Sequence, residues 1–317
     1  MRISTLNLFA VTAAMSALLA ACGGSQPPIG ATGAMAPAAH TSHIGSWMVP
    51  AAKSEDLLYV GGGGFAHGYL HVYSYRSGKL VGNISGLVSP SGECVDTAGD
   101  LWVVTNFPDE AIEYAHGGTT PIATLSVPGS NAYGCAVDPT TGDLAVTNTN
   151  GVSIFQDAQG TPTTYVDWAV PDYCSYDNKG NLFVVVGHDQ LTELPEGSSG
   201  FNIIRVDIPG PYSTVQWDGR GLAVGGDAFA SYPVKVYQVT ISGSRGKAIK
   251  TVTLSTKDDR ANDAQFWVQG HTVVQPTNRG NEVGIWAYPS GGMPARWIRN
   301  FGPIRYDTLA VAISPSQ

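Results

Sequence analysis

The side chains best suited to chemistry fall into two sets that recur at regular intervals. Asn106, Asn148, Asp227 and Asn278 each close a short apolar run. Amide and carboxylate oxygens are the ligands a hard divalent cation prefers, so such a set meeting at one point would hold an ion. The same residue types also end strands and bond their own turns, and the sequence leaves both readings open. Three cysteines, Cys94, Cys135 and Cys174, are spaced 41 and 39 residues apart. Thiolate zinc sites bring cysteines in close pairs. Equivalent positions in neighbouring repeats are expected to exceed the ~7 Å Cα limit for a disulfide. The three are therefore expected to be structural thiols that pack as small hydrophobes.

Other chemistries find little support, and no catalytic residue is assigned. No Gly-x-Ser-x-Gly elbow is present, which leaves serine hydrolysis without a local signal. The run Gly61–Gly64 lacks the Lys-Ser/Thr and helix of a phosphate loop and is expected to be a loop or bulge between two strands. Asp177–Asn181 lacks the distal glutamate of a calcium loop and reads as a turn. His67 and His71 are four apart, but in a loop-to-strand region where they share no helical face. The tryptophans near strands, Trp102 and Trp286 among them, read mostly as core.

The elements that must position these residues emerge from a repeat. SGECVDTAGDLWVVTN (Ser91–Asn106) is written again as YGCAVDPTTGDLAVTN (Tyr133–Asn148) and DYCSYDNKGNLFVVVG (Asp172–Gly187), and more loosely at Thr214–Asp227 and Asp263–Asn278. Aligning Cys94, Cys135, Cys174, Gln216, Gln265 and Val311 gives steps of 41, 39, 42, 49 and 46 residues. Each unit holds an apolar strand ending in Asp, a Gly-containing turn, a second β-branched strand, and two further strands with period 2. Punctuation every 8–12 residues signals successive antiparallel strands. Four strands per unit of about 40 residues predict an all-β fold, a β-propeller with four-stranded blades. Five complete units plus TLAVAIS (Thr308–Ser314) predict six blades. The ring is expected to close by pairing this C-terminal inner strand with the N-terminal strands, which removes two free edges.

The pattern Gly-x-x-Val-Asp-x-x-Gly-Asp-Leu-x-Val-x-Asn resembles NHL-type propellers and their SMP-30/gluconolactonase-like and YVTN-type relatives over about Asp56–Ser314. That resemblance implies the propeller architecture. It also implies that the strand ends at Asn106, Asn148, Asp227 and Asn278 lie at one rim of a central channel, where lactonase-like relatives gather oxygen ligands for a cation. The inner-strand glutamate in a Gly-Glu-Gly-Pro context that marks the lactonase group is missing here. Glu93 and Glu55 have different neighbours.

At the N-terminus, Met1-Arg2 precedes an uncharged apolar run and Leu19-Ala20-Ala21-Cys22. A charged start, a short apolar stretch and small residues at the cleavage point mark a secretory signal, and the Leu-Ala-Ala-Cys end resembles the lipobox of bacterial lipoproteins. Residues 1–21 are thus expected to be a signal peptide, with Cys22 lipidated. Residues 22–50, uncharged and rich in Gly, Ala, Pro and Ser, form a flexible tether, and residues 51–317 form the propeller. The net charge is −8 without a Lys/Arg cluster, which argues against a nucleic-acid partner. The expected protein is a monomer held at the bacterial cell envelope, on the periplasmic face or the cell surface. It meets the membrane through its lipid and binds an unknown protein or small molecule through one rim as a non-catalytic scaffold. No cofactor is expected beyond the divalent cation the rim would admit. The alternative is a metal-dependent lactonase-like hydrolase with its site at the channel mouth.

Overall fold

The computed structural model describes residues 45–64, 67–167, 169–226, 233–256, 264–277, 282–299 and 308–317. The signal, Cys22, Trp168, Asp227 and Asn278 lie outside them. Almost all the regular structure is antiparallel strand, in groups of four. The first group holds β1 (Trp47–Met48), β2 (Leu57–Gly64), β3 (His67–Ser74) and β4 (Leu80–Leu87). The second holds β5 (Pro90–Val95), β6 (Leu101–Thr105), β7 (Glu110–Tyr114) and β8 (Pro121–Ser126). The third is β9 (Cys135–Val137), β10 (Leu144–Asn148), β11 (Gly151–Phe155) and β12 (Thr163–Tyr165). The fourth is β13 (Pro171–Tyr176), β14 (Leu182–Val186), β15 (Gln190–Leu194) and β16 (Asn202–Val206). The fifth is β17 (Tyr212–Trp217), β18 (Leu222–Gly226), β19 (Val234–Ser242) and β20 (Arg245–Leu254). The sixth is β21 (Trp267–Gln269), β22 (Thr272–Thr277), β23 (Glu282–Ala287) and β24 (Arg296–Arg299).

The last strand, β25 (Thr308–Ser314), returns to the first group. It pairs antiparallel with β2 from Leu57 opposite Ser314 to Gly61 opposite Ala310, giving the order β1-β4-β3-β2-β25. The innermost strands touch in the order β5, β9, β13, β17, β21 and β25, and β25 touches β5 again. The fifth group has a longer β19–β20 hairpin, which accounts for the widest step in the repeat. Its edge also meets the fourth group, where β16 and β20 pair in parallel with Arg205 opposite Arg245.

The repeated residues have a common task. In four of the units the first aspartate accepts backbone N–H groups of its own turn: Asp96 from Asp100 at 2.8 Å, Asp138 from Thr140 at 2.7 Å, Asp177 from Lys179 at 2.8 Å, Asp218 from Arg220 at 2.9 Å. The glycine that follows sits at positive φ, +81° to +91° across Gly99, Gly142, Gly180 and Gly219, a region that costs other residues strain. The residue after Gly99, Gly142 and Gly180 ties the inner turn to the outer one. Asp100, Asp143 and Asn181 accept the N–H of His116, Asp157 and Glu196.

The second strands are buried along their length, LWVVT and LFVVV without an exposed residue, because each sheet is covered on both faces by its neighbours. One core cluster joins Trp102, Val104 and Ala111 of the second group to Leu144, Val146 and Phe155 of the third. The next joins Ala145 and Val152 to Leu182 and Val184.

Three expectations need correction. Gly61–Gly64 is strand, not a loop. All four glycines pair with β3, and of the two readings the bulge is the one met, as the register shifts against β25 between Gly61 and Gly62. A Cβ at position 61 would come within 2.2 Å of Glu93 Oε1, so a larger residue there would have to displace that buried carboxyl group. Part of the segment read as tether is folded, since Trp47 and Met48 pair with Asn83 and Gly82. The third correction concerns the cysteines and belongs to the site.

Candidate functional site

Cys94, Cys135, Cys174, Gln216 and Gln265, five of the six residues aligned by the repeat, line one central cavity with about 430 Å³ of free space including its mouth. Inner strands converge there, which brings equivalent positions closer than the repeat alone suggests. Cys94 and Cys135 are 5.7 Å apart at Cα and form a disulfide, so only Cys174 is a free thiol among the described cysteines. Burial pushes the Cys174 pKa up to about 12, which leaves the thiol protonated and unreactive.

Where the repeat replaces cysteine by glutamine, the side chain laces the centre. Gln265 bonds both ways to the backbone of Glu93, and Gln216 does the same to Val268. Farther along, the Tyr173 hydroxyl donates to the Ser91 carbonyl at 3.2 Å. The two glutamines were legible as members of the cysteine register. Their bonds were not, because they reach between sheets.

Of the four rim residues expected to hold an ion, two are described. Asn148 is buried and used by its own turn: Oδ1 accepts the Asn150 N–H at 2.8 Å and Nδ2 donates to Ser153 Oγ at 3.0 Å. Asn106 has a buried Oδ1 with no hydrogen-bond partner among the described residues. Asp227 and Asn278 lie outside the described residues. On this rim His188 Nδ1 also meets Asp172 Oδ2 at 3.0 Å.

The acidic side chains that do gather lie at the other end of the strands, beside the repeated turns. Among the described residues one trio has ligand atoms close enough for a metal ion: Asp96, Asp100 and Glu113. Burial first, and then the neighbouring carboxylates, raise the pKa of Glu113. Asp96 and Asp100 already serve the turn. A second acidic place is a cleft between the third and fourth groups, lined by Asp138, Asp143, Tyr165, Tyr176, Leu194 and Glu196, with about 600 Å³ of free space including its mouth.

No protein-family model matches the chain, and no curated protein matches it in sequence. Solved structures do resemble it. A chain of the nidogen/laminin complex superposes with a TM-score of 0.64 at 13% identity, covering 83% of this chain and 99% of that one. The β-propeller domain of Cps50 (Swd1) from Myceliophteria thermophila superposes at 0.55 with 12% identity, covering 84% and 88%. The chain has a β-propeller fold.

Proposed function

We propose that this chain is a six-bladed propeller, closed by β25 on β2, that serves as a non-catalytic binding or scaffolding module. In this proposal Cys22 carries a lipid anchor, and the propeller stands outside the cytoplasm as a monomer on the cell envelope. The observation that carries the binding reading is the laced centre. Gln265, Gln216 and Tyr173 spend polar groups joining inner strands of different sheets, which narrows the cavity the glutamines line and favours the turn-bearing faces and the clefts between sheets as places for a ligand.

The test is a melting scan of the full chain in detergent with EDTA and then Ca²⁺, Mg²⁺, Zn²⁺ and Mn²⁺, alongside a lactone hydrolysis assay. An ion at 100 times its Kd would add about 2.7 kcal/mol of stability. The binding module predicts no ion-dependent turnover. A shift by one ion together with lactone turnover would instead make the chain a metal-dependent hydrolase.

A further inference from the structure

We propose that one arc of the rim, spanning the second, third and fourth groups, docks an extended basic segment of a partner protein. Apolar side chains at the middle of that segment would meet Val166 and Val170, and cations on either side would meet the acids of the flanking turns. This rests on the binding-module reading and names its partner.

The first observation is where the apolar surface lies. Val166 and Val170 stand exposed in the loop between β12 and β13, Phe107 in the β6–β7 turn, and the His188 ring in the β14–β15 turn. All are at the end where the inner strands begin. Val166 is 79% exposed, more than any other large apolar side chain among the described residues. Exposed hydrophobics scattered singly are ordinary, whereas neighbouring ones mark interaction sites.

Hydrogen bonds make these turns neighbours. The Ala132 N–H donates to Asp109 Oδ1 at 2.8 Å, Ser130 Oγ meets Thr149 Oγ1 at 2.9 Å, and the Gly187 N–H donates to the Val170 carbonyl at 3.0 Å. At the middle of the arc is a groove lined by Thr149, Asn150, Thr164, Asp167 and the two valines, with about 1000 Å³ of free space including the open solvent above it. Small molecules are held in places that enclose most of their surface. A groove this open suits an extended chain.

The second observation is backbone conformation. Phe107 and His188 hold left-handed backbone, at φ +61° and +62°, where glycine is the ordinary choice and a ring-bearing side chain is uncommon. The two occupy the same hairpin, between second and third strands, in the groups on either side of the groove. Residues held in such conformations gather at ligand clamps. His188 is further fixed by Nδ1 against Asp172 Oδ2 at 3.0 Å.

Charge selects the partner. The stretches that form the arc, 105–110, 127–134, 147–151, 165–172 and 186–190, hold Asp109, Glu110, Asp167, Asp172 and Asp189 and neither lysine nor arginine. Asp109, Glu110 and Asp189 have no ion-pair partner among the described residues. Complementary potential steers partners together and like charge rejects them, so the segment that fits is basic. An anionic membrane, or the same arc of a second copy, would meet like charge.

The test is calorimetry on the full chain in nonionic detergent at low salt, with detergent alone as the blank. The probe is the capped peptide Lys-Lys-Leu-Ser-Leu-Lys-Lys, and two controls replace its lysines by glutamate or its leucines by serine. The probe should bind saturably, and each control about tenfold or more weakly. Two variants, Val166→Ser with Val170→Ser and Glu110→Gln with Asp189→Asn, should each melt like the native chain and bind the probe about tenfold or more weakly.

The proposal is overturned by a probe that does not bind, by a glutamate peptide that binds as well, or by both variants binding like the native chain. Self-association, or binding to phosphatidylglycerol vesicles, that the valine variant abolishes would put a second copy or a membrane in place of the basic segment. Each of these results removes the arc's partner and leaves the binding module standing. Ion-dependent lactone turnover would remove the module itself.

Discussion

Gln265 clasps the backbone of Glu93, with Nε2 donating to the Glu93 carbonyl at 2.6 Å and Oε1 accepting the Glu93 N–H at 2.9 Å. The two residues flank the sheet in which β25 pairs with β2, so the clasp spans the place where the chain's two ends are joined. Gln265→Ala orphans a buried donor and a buried acceptor, at about 1–3 kcal/mol each. Urea unfolding should register that loss. A change below about 0.5 kcal/mol, the level of an ordinary surface substitution, would show that the clasp contributes nothing.

Glu93 itself gives the fold a pH dependence. Its side chain is fully buried, burial raises its pKa to about 8, and neither carboxylate oxygen has a hydrogen-bond partner among the described residues. In the unfolded chain the same carboxyl titrates near 4.5. Between those values the folded state holds a proton that the unfolded state has released. Stability from this residue is therefore complete below about pH 4.5 and is lost as pH rises towards 8. Glu93→Gln should flatten the fall in melting temperature across that window. An unchanged slope would assign the pH dependence to other groups.

The disulfide closes a loop between Cys94 and Cys135, separated by 41 residues. By the chain-entropy estimate such a loop contributes about 4 kcal/mol. The double variant Cys94→Ser with Cys135→Ser should melt at lower temperature by a corresponding amount. A non-reducing peptide map should link the two cysteines and leave Cys174 titratable only after unfolding. Recovery of Cys94 and Cys135 as free thiols from the native chain would refute the pairing.

The proposed lipid anchor is tested in a bacterial host by labelled fatty acid. Cys22→Ser should abolish incorporation and move the protein from the detergent phase to the aqueous phase. Incorporation that survives the substitution would remove Cys22 from the proposal.

The sequence carried the architecture well because its repeated residues act locally. Asp96, Asp138, Asp177 and Asp218 each bond within their own turn, and a local requirement written several times is easy to read. The features that were missed all depend on distance between sheets. The Cys94–Cys135 bond depends on how closely inner strands converge, which no spacing along the chain encodes. The cleft joins Asp138 to Glu196 across Gly180, residues from two different groups. Its only trace in the sequence was the turn aspartate, and a repeated turn gives no sign that one carboxylate oxygen bonds the backbone while the other faces a neighbouring sheet. Asn148 was visible in the sequence because it ends a strand, and there it also bonds its own turn.

The pairing of β2 with β25 also sets an order of events during synthesis. β2 emerges early and β25 after every other strand described here, so the first sheet keeps an open hydrogen-bonding edge while all the intervening sheets are made. Over that interval an apolar strand reading Leu57-Leu58-Tyr59-Val60 has nothing to pair with on one side, the condition under which edge strands join other chains. The open edge therefore lasts until β25 is in place, and only then does that apolar strand gain its second partner.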